Sequence, residues 1–160
     1  MNKRKTVLIT GASSGIGRTF AQAYAEKGYR LILCARRTDR LEQLAEQLDT
    51  ECRIISCDLS EEEQCLKLLE DIANEHIDIF INNAGFGLAG KFTETDLNRE
   101  LQMIRVNDAA MHILFKGILS KMTETGAGTI LNVGSSAGLM PAFSAMTSTN
   151  STLFINISSY

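Results

Sequence analysis

The sequence predicts an α/β protein in which helices cover both faces of a doubly wound parallel sheet, in three α/β/α layers. Short apolar runs alternate along the chain with segments whose apolar residues recur at helical spacing. The strand-like runs are apolar almost throughout, as in strands that are covered on both faces. The 160 residues, 44% hydrophobic and 22% charged, have the size and composition of one globular domain.

The first two strand–helix units lie in the N-terminal third of the chain. Residues 6–10 form an apolar, β-branched run that ends in a glycine-rich turn. The helix after this turn repeats its apolar residues at helical spacing, and Gly28 is a candidate C-cap. A second strand is predicted at 30–35, and Thr38 can cap the helix that follows it.

Two further strands and helices follow in the same order. A third strand at 53–56 precedes Ser60-Glu61-Glu62-Glu63, which has the spacing of a capping box. The fourth strand covers 77–81, and Thr93-x-x-Asp96 opens a long helix. This alternation predicts right-handed crossovers between parallel strands.

The fifth strand, 129–133, lies in a stretch that differs from the rest of the chain. Residues 125–160 contain no Asp, Glu, Lys, Arg or His, and Ser, Thr and Asn dominate from Thr147 onward. We therefore divide the chain into a domain at 1–142 and an atypical uncharged tail at 143–160.

Charge and cysteine usage exclude several classes of protein. With Lys+Arg 16 and Asp+Glu 19, the net charge of -3 argues against nucleic acid and against a polybasic membrane anchor. No apolar run approaches the ~20 residues that span a bilayer, so we expect a cytoplasmic protein without a membrane partner. The four cysteines and two histidines lack metal-site spacing, which predicts no metal site and cysteines that act as small buried hydrophobes.

The turn after the first strand has the composition of a phosphate-binding loop. Glycine allows a tight turn and a close approach of backbone N–H groups to a pyrophosphate at the start of a helix. The glycines are Gly11, Gly15 and Gly17, and the neighbouring hydroxyl side chains are Thr10, Ser13 and Ser14. This turn lies at the first strand–helix junction of an alternating pattern, which is the context that a dinucleotide-binding motif requires.

The residues that follow the second strand distinguish between dinucleotides. An acid at this point would hydrogen-bond the ribose 2′-hydroxyl of NAD. The sequence has Arg36 and Arg37 instead, and a guanidinium can pair with a 2′-phosphate. This favours NADP(H) over NAD(H); the alternative is a solvated basic turn, to which Arg40 also contributes.

At this point the chain closely resembles the short-chain dehydrogenase/reductase family, over residues 5 to about 141. Five motifs occur in the family's order on the expected elements. They are Thr10-Gly11-Ala12-Ser13-Ser14-Gly15-Ile16-Gly17, Asp58-Leu59, Asn82-Asn83-Ala84-Gly85, Val106-Asn107, and Ser135 within Asn132-Val133-Gly134-Ser135-Ser136-Ala137-Gly138. Other interpretations remain open for single residues: Asn82 as a tie between strands, Asn107 at a helix kink, Asp58 as a turn former, and Ser136 in place of Ser135.

The resemblance implies a Rossmann-type fold and hydride transfer between a nicotinamide and a small carbonyl or alcohol substrate. It implies that Ser135 orients the substrate oxygen and that Asn107 organises a proton-relay water. The cofactor contacts that it implies, together with the two arginines, are Thr10, Gly11, Ser13, Ser14, Gly15, Ile16, Gly17, Arg36, Arg37, Asp58, Leu59, Asn83, Ala84, Gly85 and Val106.

The family's Tyr-x-x-x-Lys pair is absent from the expected positions. There, tyrosine is the general acid/base and lysine lowers its pKa. Counting from Ser135, the pair should fall near positions 148 and 152, where this sequence has Ser148 and Thr152, and no lysine follows Lys121. We therefore expect a truncated or frameshifted end and impaired catalysis. The alternative is an inactive dinucleotide-binding fragment, sensor or dimerisation module.

The resemblance also predicts surfaces that later elements of the family would cover. We expect the sheet to be incomplete on its C-terminal side, with the fifth strand as an exposed edge. One flank of the long helix, near 97–122, should likewise lack its cover, which suggests a homo-oligomer through that helix.

Overall fold

A computed structural model describes residues 4–91 and 93–134, and the backbone of 153–158. These residues form one six-stranded sheet with the order β3-β2-β1-β4-β5-β6. The strands are β1 (Thr6–Thr10), β2 (Arg30–Ala35), β3 (Cys52–Ser56), β4 (Ile79–Asn82), β5 (Ala127–Asn132) and β6 (Leu153–Ser158). The first five are parallel to one another, as the alternating pattern predicts.

The helices lie between these strands in the predicted order. They are α1 (Gly15–Glu26), α2 (Thr38–Glu46), α3 (Glu62–Asp71), α4 (Leu97–Ile104) and α5 (Met111–Thr125), with a π-helical segment (Arg105–Ala110) joining α4 directly to α5. The predicted long helix is therefore α4, the π-helical segment and α5 in sequence. Within the described residues, no helix combines the length and the apolarity that crossing a bilayer requires.

The core lies on both faces of the sheet. Every residue of β1 is buried, and successive side chains of a strand point to opposite faces. Leu8 packs with Phe80 and Leu114 on the face covered by α3 and α5. Val7 and Ile9 join the cluster on the other face, which α1 and α2 cover. These two layers of helices confirm the doubly wound, Rossmann-type fold.

The ends of the helices agree with the sequence in part. Gly28, at φ 75°, terminates α1, and the side chain of Asp96 caps α4 by accepting a hydrogen bond from the N–H of Arg99. The capping box predicted at Ser60 is wrong, because α3 begins at Glu62 without a side-chain cap. Ser60 instead directs its N–H and hydroxyl to the carboxylate of Asp58, at 2.9 and 2.7 Å.

The expectation of an exposed fifth strand is wrong. β6 pairs antiparallel with β5 along its whole length, from Ala127↔Ser158 to Asn132↔Leu153. A segment of the uncharged tail therefore supplies the backbone partner of β5. Residues 143–152 and 159–160 of that tail lie outside the described residues.

Candidate functional site

A cleft of about 920 Å³ lies at the carboxyl ends of the parallel strands. Crevices at this edge are where open α/β sheets bind ligands. The structure brings most of the predicted site residues together along its walls. Those that line it are Gly11, Ser13, Ser14, Gly15, Ile16, Arg36, Arg37, Asp58, Leu59, Asn83, Ala84, Gly85, Val106 and Asn107.

The glycine-rich turn is packed too tightly for side chains at two of its positions. Gly11 has φ 67°, and a Cβ there would lie 2.9 Å from the Cα of Ala84. A Cβ on Gly17 would lie 2.3 Å from the carbonyl oxygen of Gly11 and 2.6 Å from Nδ2 of Asn83. Gly17 thus supports the turn from within α1 and does not line the cleft. Glycine at both positions is required for the close packing of turn, helix and neighbouring strand.

The first turn of α1 is suited to an anion. It contains no acidic side chain, and the hydroxyl of its N-cap, Ser14, makes no capping hydrogen bond. Backbone N–H groups at the start of a helix carry a partial positive charge that stabilises phosphate. The positive end of α1 is therefore available to a ligand in the cleft.

Thr10 fixes this turn to the end of β4. The fully buried Thr10 hydroxyl accepts hydrogen bonds from the N–H groups of Asn83 and Ala84, at 3.0 and 3.1 Å. In return, Nδ2 of Asn83 donates to the carbonyl oxygens of Thr10 and Gly11, at 3.1 and 3.4 Å. Thr10, predicted to contact a ligand, is thus placed beneath the turn, where its hydroxyl holds two loops together.

Two buried asparagines organise the other side of the cleft. Nδ2 of Asn82 donates to Oδ1 of Asn132 at 3.0 Å and to the carbonyl oxygen of Met111 at 3.2 Å, so Asn82 does tie strands together. Asn107 lies in the π-helical segment, where its Oδ1 accepts from the N–H of Phe86 and its Nδ2 donates to the same residue's carbonyl. The Asn107 side chain thereby fixes the loop after β4 against the long helix.

Two arginines stand at the end of β2. Nη2 of Arg37 lies 3.5 Å from the hydroxyl of Ser13 and 3.4 Å from that of Ser14. Nη1 of Arg36, whose side chain is 59% exposed, lies 3.9 Å from the Asp58 carboxylate. Both arginines therefore line the cleft, Arg37 beside the glycine-rich turn and Arg36 beside Asp58.

Sequence reasoning missed several residues that line the cleft. Arg99 and Gln102 precede Val106 by seven and four positions, so they share its face of the helix. Extending the helical spacing backward from Val106 would have found both. The other residues missed are Ala35, Cys57, Phe86, Gly87, Val133 and Gly134. Ser135, the predicted catalytic serine, lies outside the described residues, as do Ser148 and Thr152.

No metal site is visible in the described part of the chain, where no three His, Cys, Asp or Glu side chains are grouped to hold an ion.

Comparison with known proteins identifies the family to which this architecture belongs. The family model for short chain dehydrogenases matches residues 5–151. An uncharacterized oxidoreductase of Staphylococcus epidermidis is 32% identical over 142 residues, which cover 87% of this chain and 61% of that protein. An NADP-dependent 3-hydroxy acid dehydrogenase of Schizosaccharomyces pombe is 35% identical over 142 residues, 84% of this chain and 55% of that protein.

Comparison with a solved structure shows that this chain shares the fold of the same family. The short-chain dehydrogenase of Sphingobium yanoikuyae in complex with NADPH superposes with a TM-score of 0.81 and 32% identity, over 88% of this chain and 57% of that one. The chain spans 55–61% of the length of the two curated relatives. The family match over most of its residues shows that this chain belongs to the short-chain dehydrogenase family.

Proposed function

We propose that this chain binds NADP(H) in the cleft, as the dinucleotide-binding part of a short-chain oxidoreductase. The observation that carries the proposal is the placement of Arg37 beside the hydroxyls of Ser13 and Ser14, with Arg36 also in the wall of the cleft. Guanidinium and hydroxyl donors together suit a 2′-phosphate, which NADP(H) carries and NAD(H) lacks. The names of the Schizosaccharomyces and Sphingobium proteins, which mention NADP and NADPH, agree with this choice.

The remaining walls of the cleft fit the rest of such a dinucleotide. The close packing at Gly11 and Gly17 holds the backbone of the turn beside the positive end of α1, where a pyrophosphate would bind. Leu59 and Val106 supply apolar surface for the adenine, with Asp58 at the neighbouring position. Asn83, Ala84 and Gly85 border the path toward the end of β5.

The chemistry proposed for this family member is hydride transfer. A bound nicotinamide supplies or accepts the hydride, and the substrate is a small carbonyl or alcohol compound. We assign Ser135 to orienting the substrate oxygen. Asn107 acts through its side-chain bonds to Phe86, which position the loop on that side of the cleft.

Turnover by these 160 residues should be weak or absent. Ser148 and Thr152 stand where the family's tyrosine and lysine are expected, and a serine or threonine hydroxyl has no pKa near 7 with which to act as a general acid/base. The second candidate function is therefore a dinucleotide-binding module that does not turn over. Following NADPH absorbance with a panel of aldehydes and ketones distinguishes the two, since only an active oxidoreductase consumes NADPH.

Thermal melts with NADPH and with NADH test the binding proposal. A ligand that binds only the folded state stabilises it by RT ln(1 + [L]/Kd), about 2.7 kcal/mol at a hundredfold excess over Kd. We expect NADPH to raise Tm more than NADH does. A chain that melts cooperatively but responds to neither nucleotide contradicts the proposal.

A matched pair of variants tests the role of the arginines. A hydrogen bond to a charged group contributes about 1.5–3 kcal/mol, so Arg37→Ala should weaken NADPH binding roughly ten- to hundredfold while leaving NADH binding nearly unchanged. Arg40→Ala removes an equal charge from the same segment but outside the cleft lining, and should change neither affinity by more than about twofold. Equal losses in the two variants would assign the effect to overall charge.

We also propose that the long helix forms a contact between copies of the chain. Leu97, Leu101 and Ile104 recur on one face of α4 and are 65%, 41% and 45% exposed. An apolar stripe of this kind suits a self-associating helix. Sedimentation should show a dimer that Leu101→Lys dissociates, and a monomer at all concentrations would refute this proposal.

A further inference from the structure

A short loop between β3 and α3 forms one wall of the cleft. Asp58 and Leu59 of this loop line the cleft, and Ser60 and Glu61 lead from them into α3. Under the proposed function, the adenine of NADP(H) lies against the two lining residues. The position of this loop therefore determines how the base is held, and the hydrogen bonds around Asp58 show what fixes that position.

The two carboxylate oxygens of Asp58 have different surroundings. Oδ1 accepts hydrogen bonds from the N–H and the hydroxyl of Ser60, at 2.9 and 2.7 Å. Oδ2 lies 3.9 Å from Nη1 of Arg36, which also lines the cleft, and this distance is too long for a hydrogen bond. The side chain of Asp58 is 31% exposed. Oδ2 can therefore accept a hydrogen bond from a donor in the cleft while Oδ1 stays bound to Ser60.

Gln64, in the first turn of α3, holds the backbone of Asp58. Oε1 of Gln64 accepts a hydrogen bond from the N–H of Asp58 at 2.7 Å. The N–H of Gln64 donates to the carbonyl oxygen of Glu61, and the N–H of Glu61 donates to that of Asp58, both at 3.1 Å. Asp58 is thus held on its carbonyl side by the main chain of the loop and on its N–H side by the side chain of Gln64.

Adenine carries a donor that suits the Oδ2 atom of Asp58. Its exocyclic amine donates hydrogen bonds, and a carboxylate is a strong acceptor for such a donor. Hypoxanthine has an oxygen in place of this amine, so that two acceptors would face each other without a proton between them. A dinucleotide that contains hypoxanthine therefore separates a carboxylate contact to the base from all the contacts that the two ligands share.

We propose that Gln64 is a positioning residue for adenine recognition: by holding the N–H of Asp58, it keeps Oδ2 within reach of the exocyclic amine of bound NADP(H). This inference rests on the proposed function and adds to it a residue that determines base selectivity. Gln64 is not part of the cleft lining, so it acts through Asp58 and touches no ligand. Selectivity for the 2′-phosphate belongs to Arg37 under the same proposal and does not depend on Gln64.

The experiment measures, by calorimetry on the full chain, the affinities for NADPH, for its hypoxanthine analogue and for NADH. Gln64→Met keeps the length of the side chain but removes Oε1, whereas Gln64→Glu keeps an acceptor oxygen. Since a neutral hydrogen bond makes a modest net contribution, Gln64→Met should weaken NADPH binding roughly two- to tenfold. The hypoxanthine analogue should lose little, so the preference for adenine should fall by a similar factor. The preference for NADPH over NADH should stay within about twofold of the parent value.

Two matched variants distinguish positioning from general damage. Gln64→Glu should keep the preference for adenine, because its carboxylate can still accept from the N–H of Asp58. Gln43→Met makes the same change at an exposed position of α2 outside the cleft lining and should alter none of the three affinities. An unchanged preference for adenine in Gln64→Met, or an equal loss of affinity for all three nucleotides, overturns the inference.

Amide hydrogen exchange adds a readout that needs no nucleotide. In the parent chain the N–H of Asp58 should exchange more slowly than an exposed amide, and Gln64→Met should remove most of this protection without changing the amides of β3. An unprotected Asp58 amide in the parent chain refutes the positioning role even if a variant fails to fold. A protected amide in a chain whose Tm ignores NADPH counts against the proposed function, whereas NADPH binding without a preference for adenine counts against the inference alone.

Discussion

Replacing Gly17 by alanine tests whether the glycine-rich turn depends on the packing that the structure shows. The new Cβ would lie 2.3 Å from the carbonyl oxygen of Gly11, a backbone atom, and 2.6 Å from Nδ2 of Asn83. Contacts below 3.0 Å require a shift of the neighbour, and here that neighbour is the turn itself. The substitution should therefore displace the turn and weaken the Asn83 hydrogen bonds that hold it.

The magnitude follows from two opposing effects. Alanine is favoured over glycine inside a helix by about 1 kcal/mol, and Gly17 lies in α1. Overpacking costs about 1–3 kcal/mol, and the two Asn83 hydrogen bonds that would be weakened contribute about 1 kcal/mol each. We expect a net loss of about 2 kcal/mol in unfolding free energy. For a chain of this length that lowers Tm by roughly 4–8 °C.

The assay is a thermal melt of Gly17→Ala with and without NADPH, beside the control Gly87→Ala. A Cβ on Gly87 meets no atom within 4 Å, so that variant should melt within about 2 °C of the parent chain. Gly17→Ala should also lose most of its response to NADPH, because the turn would no longer present its N–H groups correctly. A Gly17→Ala protein that melts at or above the parent temperature refutes the reasoning.

Three further substitutions test other parts of the fold. Thr10→Val removes the acceptor of two backbone N–H groups at the end of β4 and should cost about 2 kcal/mol in a urea titration, while the exposed control Thr19→Val should cost little. Hydrogen bonds from Arg30 lower the pKa of Glu75; burial opposes this shift, hydrogen bonding by Arg53 adds to it, and the net result is a pKa below 4.5. The stabilisation by Glu75 is therefore full above pH 4.5 and lost as pH falls through the lower folded-state pKa, so Glu75→Gln should destabilise the protein at pH 7 and much less at pH 3. Lys121→Met removes an ammonium that donates to three carbonyl oxygens after α3 and should lower the urea midpoint by the equivalent of about 1–3 kcal/mol; an unchanged midpoint would contradict that role.

The sequence was sufficient for the parts of the fold that depend on local pattern. Residues 6–10 and 30–35 were predicted as strands and agree with β1 and β2, because fully buried parallel strands are apolar at every position. Gly28 was recognised as a helix end because it acts within its own turn of helix, whereas the pattern Thr93-x-x-Asp96 located the start of the long helix without identifying Asp96 as its cap. The predicted residues of the cleft came together because parallel strands bring their carboxyl ends to one edge.

Ser60 satisfied the spacing of a capping box, but the carboxylate of Asp58, two residues earlier, binds its N–H and hydroxyl instead. Features that depend on distant partners were also not predicted. Thr10 was expected to face a ligand, yet its hydroxyl bonds to the loop after β4, 73 residues away in sequence. The antiparallel partner of β5 could not be recognised from the β-prone run Leu153–Ser158, since propensity does not state which edge a strand will join.

The contacts that shape the cleft do not involve the positions at which the family's acid/base pair is expected. Thr10, Asn83 and Asn107 lock the loops around the cleft through hydrogen bonds among residues before position 110. The guanidinium of Arg37, which follows β2, is likewise placed beside the hydroxyls of Ser13 and Ser14 in the turn between β1 and α1. None of these contacts requires the groups that would exchange a proton with a substrate. Binding of NADP(H) should therefore survive with Ser148 and Thr152 at the acid/base positions, and a measured affinity without turnover would be the direct consequence of this separation.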